Sequence, residues 1–399
     1  MRKIFKKGYF CGSVPEGFNS LYTAKTLNFA ASGLLGIFMP IFLYNLFDSN
    51  FQLVMMWYLT GILLYLALIP YGAQFLDQFG FRKALQVSAL VGALHYVVFY
   101  FMNKETALWL IPTSIITLTI WRMTYWLPYH IKFAQFTEKK NRGKQLSLML
   151  ATASLLGIFA PVIAGAIITH LEFKILFIIT IVLLLASAIP YITIPRTHEK
   201  YTWSYRKTWK QLFAKKNRTL VVPLVADGAE NAVGIIIWPI FIFEILNGNY
   251  FEVGAISTLI IGSTVIIQLV TGKYVDGKIK KEYMLKLGSI MYSLGWILKI
   301  FVATSFHIFA AGAYHSVMKV FTRTPFDTLV YEIAADQGHY IDEFTALREM
   351  AIGVGRVIML IVAIVVSLYA SIAWTFALAA VASLGLNVLY SKHVILDNR

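Results

Sequence analysis

The chain has 399 residues, 58% hydrophobic and only 14% charged, with a formal net charge of +15. Soluble domains average about 25% charged and about 45–50% apolar residues, so this composition excludes an ordinary soluble globular protein. The single cysteine, Cys11, excludes an internal disulfide.

The N-terminus carries Arg2, Lys3, Lys6 and Lys7, but Pro15, Glu16 and Asn19 fall where a secretory leader needs an apolar core, so no cleaved signal is expected. Long uncharged runs then recur to the end of the chain. They predict membrane spans at 20–46, 51–76, 84–102, 107–131, 146–170, 174–195, 219–246, 251–273, 284–304, 306–333, 346–370 and 372–391. Each is near the roughly 20 residues that a helix needs to cross a bilayer. Backbone amides in lipid must be satisfied within the segment, so the spans should be helices. The expected fold class is an all-α integral membrane protein of about twelve transmembrane helices in two pseudo-symmetric six-helix bundles. The expected units are 1–195, a basic cytoplasmic linker at 196–218, and 219–399.

In chain order, Lys25 sits just inside the first span, and His95 lies alone in the third, where a hydrogen bond to a neighbouring helix is expected. Arg122 lies in the fourth span among Trp121, Tyr125 and Trp126, rings that can stack on a ligand or simply pack. The linker holds eight basic residues with Trp203, Tyr205, Trp209 and Phe213, the pattern of a helix lying on a membrane surface. Asp227 and Glu230, three apart, share a face of the seventh span. Lys299, near the end of the ninth, is expected to snorkel. The tenth carries His315, Lys319, Arg323 and Asp327 at successive i, i+4 spacing, one stripe along the helix. Arg356 in the eleventh is expected to reach the acids Asp342 and Glu343. Trp57, Trp109 and Trp374 fall near span ends and read as interfacial belt.

With the N-terminus in the cytoplasm, 28 of the 35 basic residues fall on that side and only Lys104 and Lys174 lie in exterior loops. This bias predicts cytoplasmic N- and C-termini in a plasma (inner) membrane. It also accounts for the positive charge through anionic lipid, so nucleic acid is not an expected partner.

The two halves match at a displacement of about 199 residues. Ala73-Gln-Phe-Leu-Asp77 falls on Gly272-Lys-Tyr-Val-Asp276, and in the fourth and tenth spans Arg122 aligns with Lys319 and Pro128 with Pro325. The stretch Asp77-Gln-Phe-Gly80-Phe-Arg82-Lys83 resembles the most widespread signature of the major facilitator superfamily, with Ala73 in place of its first glycine. The second copy keeps Gly272 and Asp276. Gly157-Ile-Phe-Ala160-Pro161-Val-Ile-Ala-Gly165 is similar to that family's glycine-proline motif, with alanine for one glycine. Small residues at these positions let helices approach where lipid gives no hydrophobic drive. The resemblance implies that Asp77, Gly80, Arg82, Lys83, Gly272 and Asp276 belong to a gate at the cytoplasmic rim. Asp77 with Arg82 and Lys83 can form a charge cluster at that rim, and a static clasp is the alternative. It also implies that the first, fourth, seventh and tenth helices line a central cavity.

Charges within a bilayer cost roughly 2.5–3.5 kcal/mol on insertion scales and usually face a partner or a wet cavity. Asp227 and Glu230 lie roughly 12–17 Å in, at about 1.5 Å per residue, a depth that matches Arg323 and Lys319. Two readings stand open. In one, Arg122, Trp126, Lys319 and Arg323 bind an anionic or zwitterionic solute while Asp227, Glu230 or Asp327 exchanges a proton. In the other, the carboxylates only neutralise the cations. No nucleotide loop and no Cys/His cluster of metal spacing is present, so neither an enzyme nor a cofactor is expected. The expected function is a secondary active transporter working by alternating access. A lipid flippase of the same fold, or a multidrug efflux antiporter, is the alternative. The expected partners are membrane lipid and a small solute, with protons as a candidate coupling ion and the chain acting as a monomer.

Overall fold

The computed structural model describes residues 17–136, 142–195, 201–275, 281–336 and 341–389. Among these residues every regular element is a helix. The first half contains α1 (Phe18–Leu35), α2 (Phe38–Leu46), α3 (Phe51–Phe79), α4 (Phe81–Tyr100), α5 (Ala107–Gln135) and α6 (Arg142–Tyr191). The short α7 (Tyr205–Phe213) follows. The second half contains α8 (Arg218–Ala232), α9 (Trp238–Ile245), α10 (Tyr250–Val275), α11 (Lys281–Ile300), α12 (Ser305–Asp336), α13 (Ile341–Tyr369) and α14 (Thr375–Gly385).

Among the described residues seven helices are long and apolar enough to cross a membrane, and α1 with α2 makes an eighth if their 42° bend lies within one span. The expected count of twelve differs for physical reasons. The helix α6 is continuous over 50 residues except at Glu172, whose φ of 67° breaks it where two spans were expected. The helices α11 and α12 are long enough but not apolar enough, and the last apolar stretch, Ile372–Val388, is short. Between α8 and α9 the chain passes through a π turn, Val233–Ile237, without leaving the helix axis direction of a single 31-residue stretch. Large apolar side chains such as Leu90, Leu94, Ile163, Val182, Ile266 and Ile361 are exposed on the flanks, the surface that lipid would cover.

The helices pack in matching pairs. In the first half α1 lies on α6, α4 on α5 and α6, and α3 on α5. In the second half α8 lies on α13, α11 on α12 and α14, and α10 on α12. Between halves, α6 meets α10 and α3 meets α13. Backbones come close where glycine allows it. A Cβ on Gly355 would stand 1.9 Å from the Val225 carbonyl oxygen, and one on Gly228 would stand 2.0 Å from that of Ile352, so α8 and α13 touch main chain to main chain. The glycine-proline stretch of α6 does the same. A Cβ on Gly165 would meet the Tyr250 oxygen at 2.6 Å, and the Pro161 oxygen stands 2.3 Å from where a Cβ on Gly254 would lie, while Gly157 faces Ile261.

The halves are tied at both ends of the molecule, directly at one and through the linker at the other. At the end carrying loops 47–50 and 246–249, Tyr44 donates to the Glu244 carboxylate and Asn45 to the Tyr250 hydroxyl. At the other end, Gln74 of α3 donates to the Trp203 carbonyl at 3.1 Å, and Thr202 donates through both its backbone N–H and its hydroxyl to Glu343, each at 2.7 Å.

Several expectations change here. Trp203 is buried at 1% exposure instead of lying on a membrane surface, although Phe213 at the end of α7 is exposed. Trp57 is buried too, its indole N–H donating to the Ser114 hydroxyl at 3.0 Å, whereas Trp109 and Trp374 are exposed. Lys299 does not snorkel; its ammonium is buried 4.1 Å from the Trp238 and Trp296 ring centroids. Arg356 donates to the Asn231 side chain at 2.9 Å. The expected acids Asp342 and Glu343 lie in the first turn of α13, about 20 Å away along the helix, too far to reach. His95 is hydrogen-bonded across helices to Thr117 at 3.0 Å, as expected.

Candidate functional site

The buried charges of α8 and α12 meet. Helical spacing places Asp227 and Glu230 on the face of α8 turned towards α12, and Arg323 lies between them. One guanidinium nitrogen pairs with Asp227 Oδ1, and Arg323 Nη2 is 3.0 Å from Glu230 Oε2. The Glu230 side chain is fully buried, and that of Arg323 is 17% exposed. From α11, the Tyr292 hydroxyl donates to Glu230 Oε1, so both oxygens of Glu230 are occupied. Charge-assisted bonds of this kind are the strong ones, and leaving one partner alone in the interior would be costly.

The rest of the α12 stripe divides. The His315 ring packs against Tyr292 and Trp296, each with centroids at 4.4 Å. Lys319 has no ion pair among the described residues. Asp327 has neither hydrogen bond nor ion pair there, and lies within the electrostatic reach of Arg323, Asp227, Arg348 and Lys319. Of the expected substrate or coupling residues, the structure therefore brings Asp227, Glu230 and Arg323 into direct contact and leaves Lys319 and Asp327 beside them.

Arg122 and Trp126 belong to α5, in the opposite half. Arg122 Nη1 is buried with no hydrogen-bond partner among the described residues. Arg356 and Glu349 lie within electrostatic reach of Arg122, as do the neutral Tyr58 and Tyr65 side chains. Trp126 stacks on His130 at 5.6 Å and 17°. It also meets the Tyr125 and Tyr129 rings edge-on and lies beside Lys25 of α1, whose buried ammonium donates to the Tyr125 hydroxyl at 2.7 Å.

Below these, Glu349 of α13 joins both halves. Its carboxylate accepts from the Tyr65 hydroxyl of α3 and from Arg348, both at 3.3 Å, and lies 3.7 Å from His130 of α5. His130 also bonds the Tyr331 hydroxyl of α12 at 3.1 Å.

At the rim, Asp77, Arg82 and Lys83 do not form the expected charge cluster. Gly80, with φ 89°, turns the chain between α3 and α4, so Asp77 ends one helix and the cations begin the next. Arg82 reaches the Ile192 carbonyl at 3.5 Å, Lys83 is exposed, and Asp77 lines a recess with Gln74, Gln78 and Tyr201–Ser204. Gly272 lies in the last turn of α10, and Asp276 falls outside the described residues. Among the described residues no group of three His, Cys, Asp or Glu side chains could hold a metal ion.

Sequence reasoning passed over Tyr292, Glu349 and the surroundings of Lys25. Each partner comes from a different helix with no signature of its own, but a lone lysine in an apolar span was itself a signal.

A family model described as Major Facilitator Superfamily matches residues 21–229, just over half of the chain. An uncharacterised protein of Bacillus subtilis, YqgE, is 19% identical over 245 residues, covering 59% of this chain. The chain spans 56% of that relative's length. Among solved structures, the human organic anion transporter MFSD10 (TETRAN) superposes with a TM-score of 0.70 over 94% of this chain and 98% of its own, at 11% identity. That identity speaks for the fold alone.

Proposed function

This chain belongs to the major facilitator superfamily, a family of secondary transporters, and from that premise we propose that it carries a small organic anion, coupled to protons, by alternating access. The observation that carries this reading is the unequal treatment of buried cations. Arg323 is held by two carboxylates, whereas Arg122, in the facing half, has a buried nitrogen with no hydrogen-bond partner among the described residues. An unpaired cation in a low-dielectric interior invites an anion, and the description of MFSD10 as an organic anion transporter agrees. In this reading Arg122 and Trp126 take the solute. A proton reaching Asp227 or Glu230 weakens their hold on Arg323, which then joins Lys319 at the solute, with Asp327 completing the charge balance.

The fold reading is finer than the count of apolar helices. Taking α1 with α2 and α8 with α9 as one span each, and α6 as two, gives twelve spans in two six-helix units, 1–195 and 219–399, joined by 196–218. The repeated pairing of helices within each half supports it. The charge bias supports cytoplasmic termini in the plasma membrane, with lipid and solute as partners of a monomer. Asp77, beside the 201–204 segment, and Gly80, at the turn that follows it, then belong to the cytoplasmic gate.

Proteoliposomes holding the purified chain test proton coupling. An imposed proton gradient should accelerate flux of a labelled organic acid such as benzoate several-fold, and Glu230→Gln should abolish the acceleration. Flux indifferent to the gradient in the unaltered protein would refute the coupling.

A further inference from the structure

Lys25 differs from Arg323 in what holds its charge. Its side chain lies about two-fifths of the way along α1 and is only 6% exposed. Four aromatic rings surround its ammonium, Phe29 at 4.7 Å, Tyr125 at 5.0 Å, Trp126 at 4.9 Å and Tyr129 at 4.2 Å. Its polar contact is the Tyr125 hydroxyl, which satisfies one of three donors. Among the described residues it has no ion pair with a carboxylate.

The internal repeat sharpens the contrast. With Arg122 aligned on Lys319, Trp126 falls at the register position of Arg323. In the second half that place joins an arginine to two carboxylates across α8 and α12. In the first half the same place joins an aromatic ring to a lysine across α1 and α5. The ring faces attract a cation without neutralising it. An anion offers an ammonium a stronger, charge-assisted bond than a ring face does. The four-carbon stem of lysine lets the ammonium move while the backbone stays in place. Trp126 is 36% exposed although its neighbours Tyr125 and Tyr129 are buried, so the cage is open on the Trp126 side.

Resting on the anion-carrier reading, we propose that Lys25 is a second anion-binding group and that the solute is an organic acid bearing a flat ring. The ammonium leaves its cage for the acidic group of the solute, and the solute's ring takes the vacated place against Trp126. Ring and charge are then both read on the α1–α5 side, with Arg122 on the same helix one turn from Trp126.

The test uses the full chain, purified in detergent and heated with benzoate, acetate or benzamide. Benzoate should raise the unfolding midpoint of the unaltered protein by several degrees, acetate by less, and benzamide, which has the ring without the charge, not at all. Lys25→Gln should lose the benzoate shift, Lys25→Arg should keep at least half of it, and Trp126→Leu should erase the preference for benzoate over acetate. If Lys25→Gln does not fold, the Lys25→Arg and Trp126→Leu results decide. A Lys25→Gln protein that is less stable alone yet keeps the full benzoate shift would make Lys25 a clasp between α1 and α5 and overturn the proposal. If that result came with loss of the shift in Arg122→Gln, the anion reading would stand without Lys25. If no acid shifted the unaltered protein, both readings would fall.

Discussion

Replacing Arg323 by alanine is expected to destabilise the folded protein by about 3–5 kcal/mol, because it leaves Asp227 and Glu230 buried side by side with no cation. Two like charges in that position repel each other as well as losing their partner. Removing a carboxylate along with the arginine should restore part of the loss, since one of the two unpaired charges is gone while the other still lacks its cation. Glu230→Gln is the better second change. Its side-chain oxygen still accepts from Tyr292, so that hydroxyl is not orphaned. Thermal unfolding of the single and double variants measures the recovery, and flux in proteoliposomes measures function. The double variant should be folded and inactive, with Arg122→Ala likewise folded and inactive. Transport regained by the double variant would reduce the Asp227–Arg323–Glu230 triad to a structural clasp.

The second large effect is expected at Glu349. This carboxylate is the acceptor that Tyr65 of α3 and Arg348 share, and it lies beside His130 of α5. Glu349→Ala strands Arg348, whose side chain is 15% exposed, and cuts the polar link between the halves. A loss of about 3 kcal/mol is expected, at the lower end for a broken buried pair because Arg348 keeps some access to water. The Arg348→Ala, Glu349→Ala double variant should regain stability, yet its flux should remain impaired, since the link to α3 and α5 is still missing. An unaltered unfolding midpoint in Glu349→Ala would show that these contacts carry no energy.

Much of the architecture was written locally. Apolar runs separated by short polar turns correspond to the helices within a few residues, and Glu172 falls in the gap foreseen between 170 and 174. The bend between α1 and α2 and the π turn at Val233–Ile237 were not legible, because apolar composition runs unbroken through both. At the site, the i, i+4 stripe and the Asp227/Glu230 pair were readable from helical periodicity alone. Which cation of the stripe would take the carboxylates was not, since Lys319 and Arg323 lie one turn apart and only the three-dimensional placement of α8 and α12 chooses between them. The rim charges show the converse. Their proximity in sequence suggested a cluster, but the left-handed turn at Gly80 separates Asp77 from Arg82 and Lys83.

Counterflow tests the carrier account most directly. Proteoliposomes preloaded with unlabelled benzoate are diluted into a trace of labelled benzoate, with no ion gradient imposed. A carrier that alternates between two faces should accumulate label transiently above its external concentration, saturate with substrate, and lose this behaviour in Arg122→Ala. Label that only equilibrates, at a rate proportional to concentration and unaffected by preloading, would mark a channel and contradict the account.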